Sequence, residues 1–176
     1  MTVRVSAILL AAALAVAGCA TSPSPQAPAD GGSAGGIPAR SAAPTAIPLA
    51  ARPVVSIVVG GRAMRVVAAD DEASWEQGLQ GVPALGDLDG MLFRFHATLT
   101  RAFWMKDTLL PLDVAFFDAS GRFVSVMTMP LCRSEPCPTY AAAAPYATAL
   151  EARAGSLGFL RAGDRLAEGP AASPSR

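Results

Sequence analysis

Arg101, Phe103, Trp104, Lys106, Asp107 and Asp113 crowd two cations, two carboxylates and an aromatic pair into one otherwise apolar run. Lysine is a compact charge that can lose its proton when buried. Lys106, the only lysine among 14 cations, could therefore bind an anionic group or act as a nucleophile beside Asp107 or Asp113. The commoner use of such residues is structural: Lys106 paired with one of those carboxylates to fix a turn, and Arg101 paired with Asp113. A charge inside an apolar strand needs a partner or hydrogen bonds. Trp104 is expected in the core, with the floor of a ligand groove as the alternative. Thr139 and Tyr140 would line that groove if the cysteine-bearing loop folds back over it.

Other chemistry has little to stand on. The single histidine, His96, is expected in a loop or at the surface, and no elbow-type serine motif accompanies it. Neither a Walker loop nor a dinucleotide fingerprint occurs, so no cofactor is expected. The charge is balanced, 14 cations against 14 anions, with no basic run of the kind that nucleic-acid binding requires.

Short strands must position these residues. Val54–Val59 is β-branched, Gly60–Gly61 suits a two-residue hairpin turn, and Arg62–Ala68 returns as a second strand. Asp71 can cap a helix from Glu72 to about Leu79, with Trp75 and Leu79 on its buried face. Further strands are expected over Gly90–Phe95, Arg101–Lys106, Leu112–Phe117, Arg122–Met129, Tyr146–Arg153 and Asp164–Ala167. About eight short strands with one short helix predict a mainly β domain, a compact antiparallel β-sandwich or barrel. It should span Pro53 to Glu168, followed by a disordered tail from Gly169 to Arg176.

The N-terminal third is organised differently. Arg4 precedes an uncharged apolar run from Val5 to Ala17. That run is roughly 20 Å long as a helix, too short for a hydrocarbon core of about 30 Å. It has the layout of a signal peptide over residues 1–18. Val16–Ala17–Gly18–Cys19 resembles the lipobox of bacterial lipoproteins. The resemblance implies cleavage before Cys19 and lipidation of its sulfur and new amine, and multiple acyl chains give stable membrane anchoring. Ala20 in the next position favours the outer membrane by analogy with Gram-negative sorting. Residues 20–52, rich in Pro, Ala, Gly and Ser, cannot bury enough surface to fold and read as a tether. In an exported chain the two remaining cysteines, Cys132 and Cys137, are expected to form a disulfide. Redox and metal roles are weaker alternatives, because catalytic pairs are usually two residues apart and His96 is the only histidine.

Gly90–Met91–Leu92–Phe93, Phe103–Trp104–Met105–Lys106–Asp107–Thr108, Pro111–Leu112–Asp113, Asp118–Ala119–Ser120–Gly121, Cys137–Pro138–Thr139–Tyr140 and Gly163–Asp164 resemble the DUF192 family from about Val54 to Leu166. The resemblance implies a compact, mostly β, often exported domain without an established activity. Asp107 stands where members usually carry asparagine, and Gln77 and Gln80 where arginine and methionine are frequent. The expected function is a membrane-anchored envelope lipoprotein whose β domain binds a small ligand, glycan or protein partner through the Arg101–Asp113 region. The alternative is an enzyme acting on an envelope substrate with Lys106, Asp113 and Arg101.

Overall fold

The computed structural model describes residues 48–169. The expected signal segment, Cys19, the linker up to residue 47 and residues 170–176 of the tail lie outside the described residues. Leu49–Ala51 forms a single 3-10 turn, and Arg52 tucks beneath the helix, donating to Ser74 O at 3.4 Å.

β1 (Val54–Val59) and β2 (Arg62–Ala69) pair antiparallel across Gly60–Gly61, with Val59 opposite Arg62. Both turn residues have positive φ, which glycine adopts without a steric penalty. Asp71 then caps α1 (Glu72–Gln77). Its carboxylate accepts from the Ser74 N–H at 2.9 Å, while Ser74 Oγ accepts from the Asp71 N–H at 3.1 Å. This reciprocal box satisfies two donors that the helix start would otherwise orphan. Gly78, with φ of 49°, ends the helix, and Leu79 turns into the core.

α1 and its flanking loops act as a crossover, so β3 (Gly90–Leu99) returns parallel to β2, with Val66 opposite Gly90. This pair departs from the expected all-antiparallel arrangement. Parallel neighbours need a connection of about a dozen residues or more, and the segment between Ala69 and Gly90 supplies it. β4 (Ala102–Trp104), β5 (Leu112–Phe117), β6 (Phe123–Met129), β7 (Thr139–Ala141), β8 (Tyr146–Arg153) and β9 (Leu166–Glu168) follow. Seven strands form one sheet in the order β6-β5-β8-β3-β2-β1-β9, and β4 pairs with β7 separately. The sheet curls until its ends meet. Phe123 N–H donates to Asp164 O at 2.9 Å, and Leu166 N–H to Gly121 O at 2.8 Å. The result is mainly β, a curled half-barrel with one short helix.

The central strands are covered on both faces. Val67, Met91, Phe93, Val114, Phe116 and Ala149 belong to one apolar cluster, while Val66, Leu92, Ala115, Phe117, Leu150 and Ala152 belong to the other. Strands buried on both sides lose the apolar–polar alternation of a half-exposed sheet. Leu112–Phe117 accordingly reads as a nearly continuous apolar run broken only by Asp113.

Asp113 does not pair with Arg101. It is 2% exposed and accepts from Thr128 Oγ1 at 2.7 Å and from the Leu157 N–H at 3.0 Å, tying the turn after β8 to the sheet. Replacing it with alanine leaves the buried Leu157 donor without its acceptor. Asp113→Ala is therefore expected to cost roughly 2–4 kcal/mol in urea unfolding. Asp113→Asn keeps an acceptor and should lose much less; equal losses would show that the hydrogen bonds are not what Asp113 contributes.

Candidate functional site

The short pair β4–β7 stands over the edge of the first apolar cluster and creates a groove. Its register sets Phe103 opposite Tyr140 and Trp104 opposite Thr139. Alternation then sends Phe103 and Tyr140 inward against the cluster and leaves Trp104 and Thr139 outside. The groove has a volume of about 550 Å³, within the roughly 300–1,000 Å³ of small-molecule sites. α1 forms one wall with Glu72, Trp75 and Glu76, and Arg101–Trp104 forms the other.

The floor is aromatic. Phe93 and Phe103 meet edge to face at 5.2 Å between centroids, Trp75 and Phe95 lie 5.2 Å apart, and Phe95 and Tyr146 are 5.6 Å apart. Trp75 Nε1 donates to Ala69 O at 2.9 Å, which fixes the indole. The Tyr146 hydroxyl donates to Arg101 O at 2.9 Å and so holds the β3–β4 turn, and burial pushes the phenol up to about 12. Trp75, locked in this way and only partly buried, presents its ring without further ordering cost on binding.

A narrow shaft of about 30 Å³ adjoins the groove, sharing Phe93, Phe103 and Trp104 with it, and is also lined by Gly78, Thr108 and Glu151. Glu151 sits in the middle of β8, between Met91 of β3 and Val114 of β5. The residue is 5% exposed, and its Oε2 has no hydrogen-bond partner. Burial disfavours the charged form and raises its carboxyl to about 8. It therefore carries a proton at neutral pH. Sequence reasoning passed over Glu151, although one acid inside the apolar run from Ala149 to Ala152 was a usable signal.

The residues expected to act divide into two groups. Arg101, Trp104 and Thr139 line the groove together. Trp104 is 49% exposed, so the core placement is corrected: β4 has a partner on one side only and turns alternate residues to solvent. Tyr140 packs against the core instead. Lys106 pairs with neither Asp107 nor Asp113; its Nζ lies 2.9 Å from Glu135 Oε1 in the cysteine loop and 5.8 Å from the Trp104 ring centroid. That hydrogen bond raises the Lys106 pKa and lowers that of Glu135. The pair is exposed, and such pairs contribute little net stability. Asp107 is a turn residue at φ of 54°, whose carbonyl accepts from the Gly81 N–H at 2.8 Å. Aspartate tolerates this left-handed conformation better than most residues, which suits Asp107 to the position. Lys106, Asp113 and Arg101 therefore do not converge.

Cys132 and Cys137 are joined by a disulfide with Cα atoms 5.5 Å apart. Among the described residues, no group of three or more His, Cys, Asp and Glu side chains could hold a metal ion. Nor is any helix there long and apolar enough to cross a membrane.

Fold and groove together define a curled-sheet β domain with an aromatic cleft under its single helix. A family model described as DUF192, Uncharacterized ACR, matches residues 55–167. The chain belongs to the DUF192 family. Two crystal structures are similar to it. A Sinorhizobium meliloti 1021 protein described provisionally as a transcription regulator is 28% identical with a TM-score of 0.58, the match covering 66% of this chain and 95% of that one. A protein of unknown function from Novosphingobium aromaticivorans DSM 12444 is 26% identical with a TM-score of 0.60, covering 72% and 94%. No functionally curated protein matches the chain.

Proposed function

We propose that this chain is a membrane-anchored envelope lipoprotein whose DUF192 domain binds a small, ring-bearing, uncharged ligand, a glycan unit, in the groove below α1. The observation that carries the binding reading is the groove's lining. Trp75, Phe95 and Trp104 offer ring surface, and Arg101, Glu76, Gln80 and Thr139 offer hydrogen-bonding groups beside them. A saccharide ring has apolar faces and a hydroxyl rim, the complement of such a lining. The anchor rests on the signal-like start and on the Val16–Cys19 segment, and Ala20 after the cysteine favours the periplasmic face of the outer membrane.

Nucleic acid is not the favoured ligand. The formal charge is zero, and Arg94 and Lys106 are both engaged by carboxylates. An enzyme using Lys106, Asp113 and Arg101 is the weaker alternative, because neither Lys106 nor Asp113 lines the groove and each is held by a separate partner.

Trp75 and Trp104 are the only tryptophans, and both line the groove, so intrinsic fluorescence reports on it directly. Titration with a panel of neutral mono- and disaccharides should give a saturable change. Trp104→Ala should weaken that binding by about tenfold or more. No saturable response across the panel would sink the binding reading. Mass spectrometry of the mature protein should find an acylated Cys19, and an unmodified N-terminus elsewhere would remove the anchor.

A further inference from the structure

We propose that the shaft beside the groove is a subsite for one uncharged, carbonyl-bearing arm of the ligand, whose oxygen accepts a hydrogen bond from the Glu151 carboxyl. This rests on the groove reading above and adds to it the chemistry by which a ligand is selected.

A buried polar atom without a partner is costly, and native structures carry few of them. Glu151 Oε2 is such an atom. Gln77, Gln80 and Thr108 line the same shaft, but no hydrogen bond reaches Glu151 Oε2. Cross-strand neighbours Met91 and Val114 are apolar, and the Lys106 and Arg94 cations are engaged elsewhere. An ideal Cβ added to Gly78 would lie 3.5 Å from Phe93 Cζ and 3.9 Å from Glu151 Oε2. The absent side chain at this position is thus part of what leaves space above the carboxyl. The shaft volume of about 30 Å³ admits one or two heavy atoms of water size, enough for a carbonyl arm and too little for a ring. The ring would rest in the groove while its arm reaches into the shaft.

The protonation state sets the selectivity. A protonated carboxyl offers one donor and remaining acceptor capacity, which suits a neutral oxygen. Above its titration the carboxylate can only accept, so it would lose its bond to a carbonyl oxygen, which has no proton to donate, and would repel its lone pairs. The other ionisable groups of shaft and groove are Glu72 and Glu76 of α1, Arg101 before β4, and Tyr146 of β8. Glu76 also borders the shaft, so ionised Glu151 would face a like charge as well.

The test uses the full chain and N,N′-diacetylchitobiose as an uncharged probe, followed by calorimetry and tryptophan fluorescence. The wild-type affinity should fall about tenfold or more from about pH 6 to about pH 9. Glu151→Gln keeps a donor of nearly the same shape, and should retain the affinity seen at low pH while losing the pH dependence. Glu151→Leu should bind weakly at both values. If both variants match wild type at both pH values while Trp104→Ala still weakens binding, the subsite is wrong and the groove stands. Tighter binding of the cationic deacetylated disaccharide than of the acetylated one at about pH 6 would also overturn the proposal, by making Glu151 a cation site. If the probe fails to bind wild type while other saccharides of the panel bind with the Trp104 dependence, the shaft does not accept this arm chemistry and the proposal is refuted. If no saccharide binds, the groove reading falls and the subsite falls with it.

Discussion

Gly90→Ala is expected to lower the stability of the domain by about 3 kcal/mol or more, a large share of the roughly 5–15 kcal/mol that holds a typical domain folded. Gly90 opens β3 where three strands converge, opposite Val66 of β2 and Ala152 of β8. A Cβ built there falls onto the Glu151 carbonyl oxygen and within 3.2 Å of Ala152 Cα. Both obstacles are backbone, so no rotamer change relieves the clash. β8 cannot retreat either, since β5 is hydrogen-bonded to its other edge. Gly61 supplies the contrast: it has positive φ but nothing within 4 Å of its built Cβ, so alanine there meets only a conformational penalty of about 1 kcal/mol. Urea unfolding of both variants separates the two causes. A Gly90→Ala loss no larger than that of Gly61→Ala would mean that the strands part without cost.

Glu151→Gln is expected to flatten the pH dependence of stability. In the unfolded chain a glutamate titrates near 4.5, whereas burial holds the native carboxyl at about 8. Between those values the native state binds a proton that the unfolded state has released. Stability from this group is therefore fully present below about pH 4.5 and declines by about 1.4 kcal/mol per pH unit as pH rises toward 8. Over the whole window the difference approaches roughly 5 kcal/mol. The glutamine variant has no proton to exchange there. Relative to wild type it should gain stability steadily as pH rises, and should be the more stable of the two above about pH 8. Other titrating groups are common to both proteins and cancel in the difference. Parallel profiles for the two would show that Glu151 ionises freely in the folded protein.

Neither the Gly90 role nor the Glu151 role could be read from the chain, because both depend on residues far away in sequence. The hairpin at Gly60–Gly61, the Asp71 cap, and the strands over 54–59, 112–117 and 146–153 were legible because each depends on neighbours within a few positions. β7 was not, because a three-residue strand carries no periodicity of its own; it exists because β4 pairs with it. The parallel return of β3 was equally hidden, since pairing direction depends on where the crossover lands. At the site, Arg101 and Trp104 stood out through their density of chemistry. Lys106 was matched to the wrong carboxylate because Glu135 lies 29 positions away, and Glu151 went unnoticed because a lone acid in a strand looks like a solvated one.

Composition and local pattern alone determined a mainly β domain, its first hairpin and capped helix, its cysteine pair and the family to which the motifs point. The fold decided which side of β4 faces outward, which strand closes over it, and that one carboxylic acid is buried beside an aromatic cleft. The physical reason is that turns, caps and alternation are short-range steric and hydrogen-bonding effects. Desolvation and charge pairing, in contrast, depend on what residues distant in sequence bring within a few ångströms.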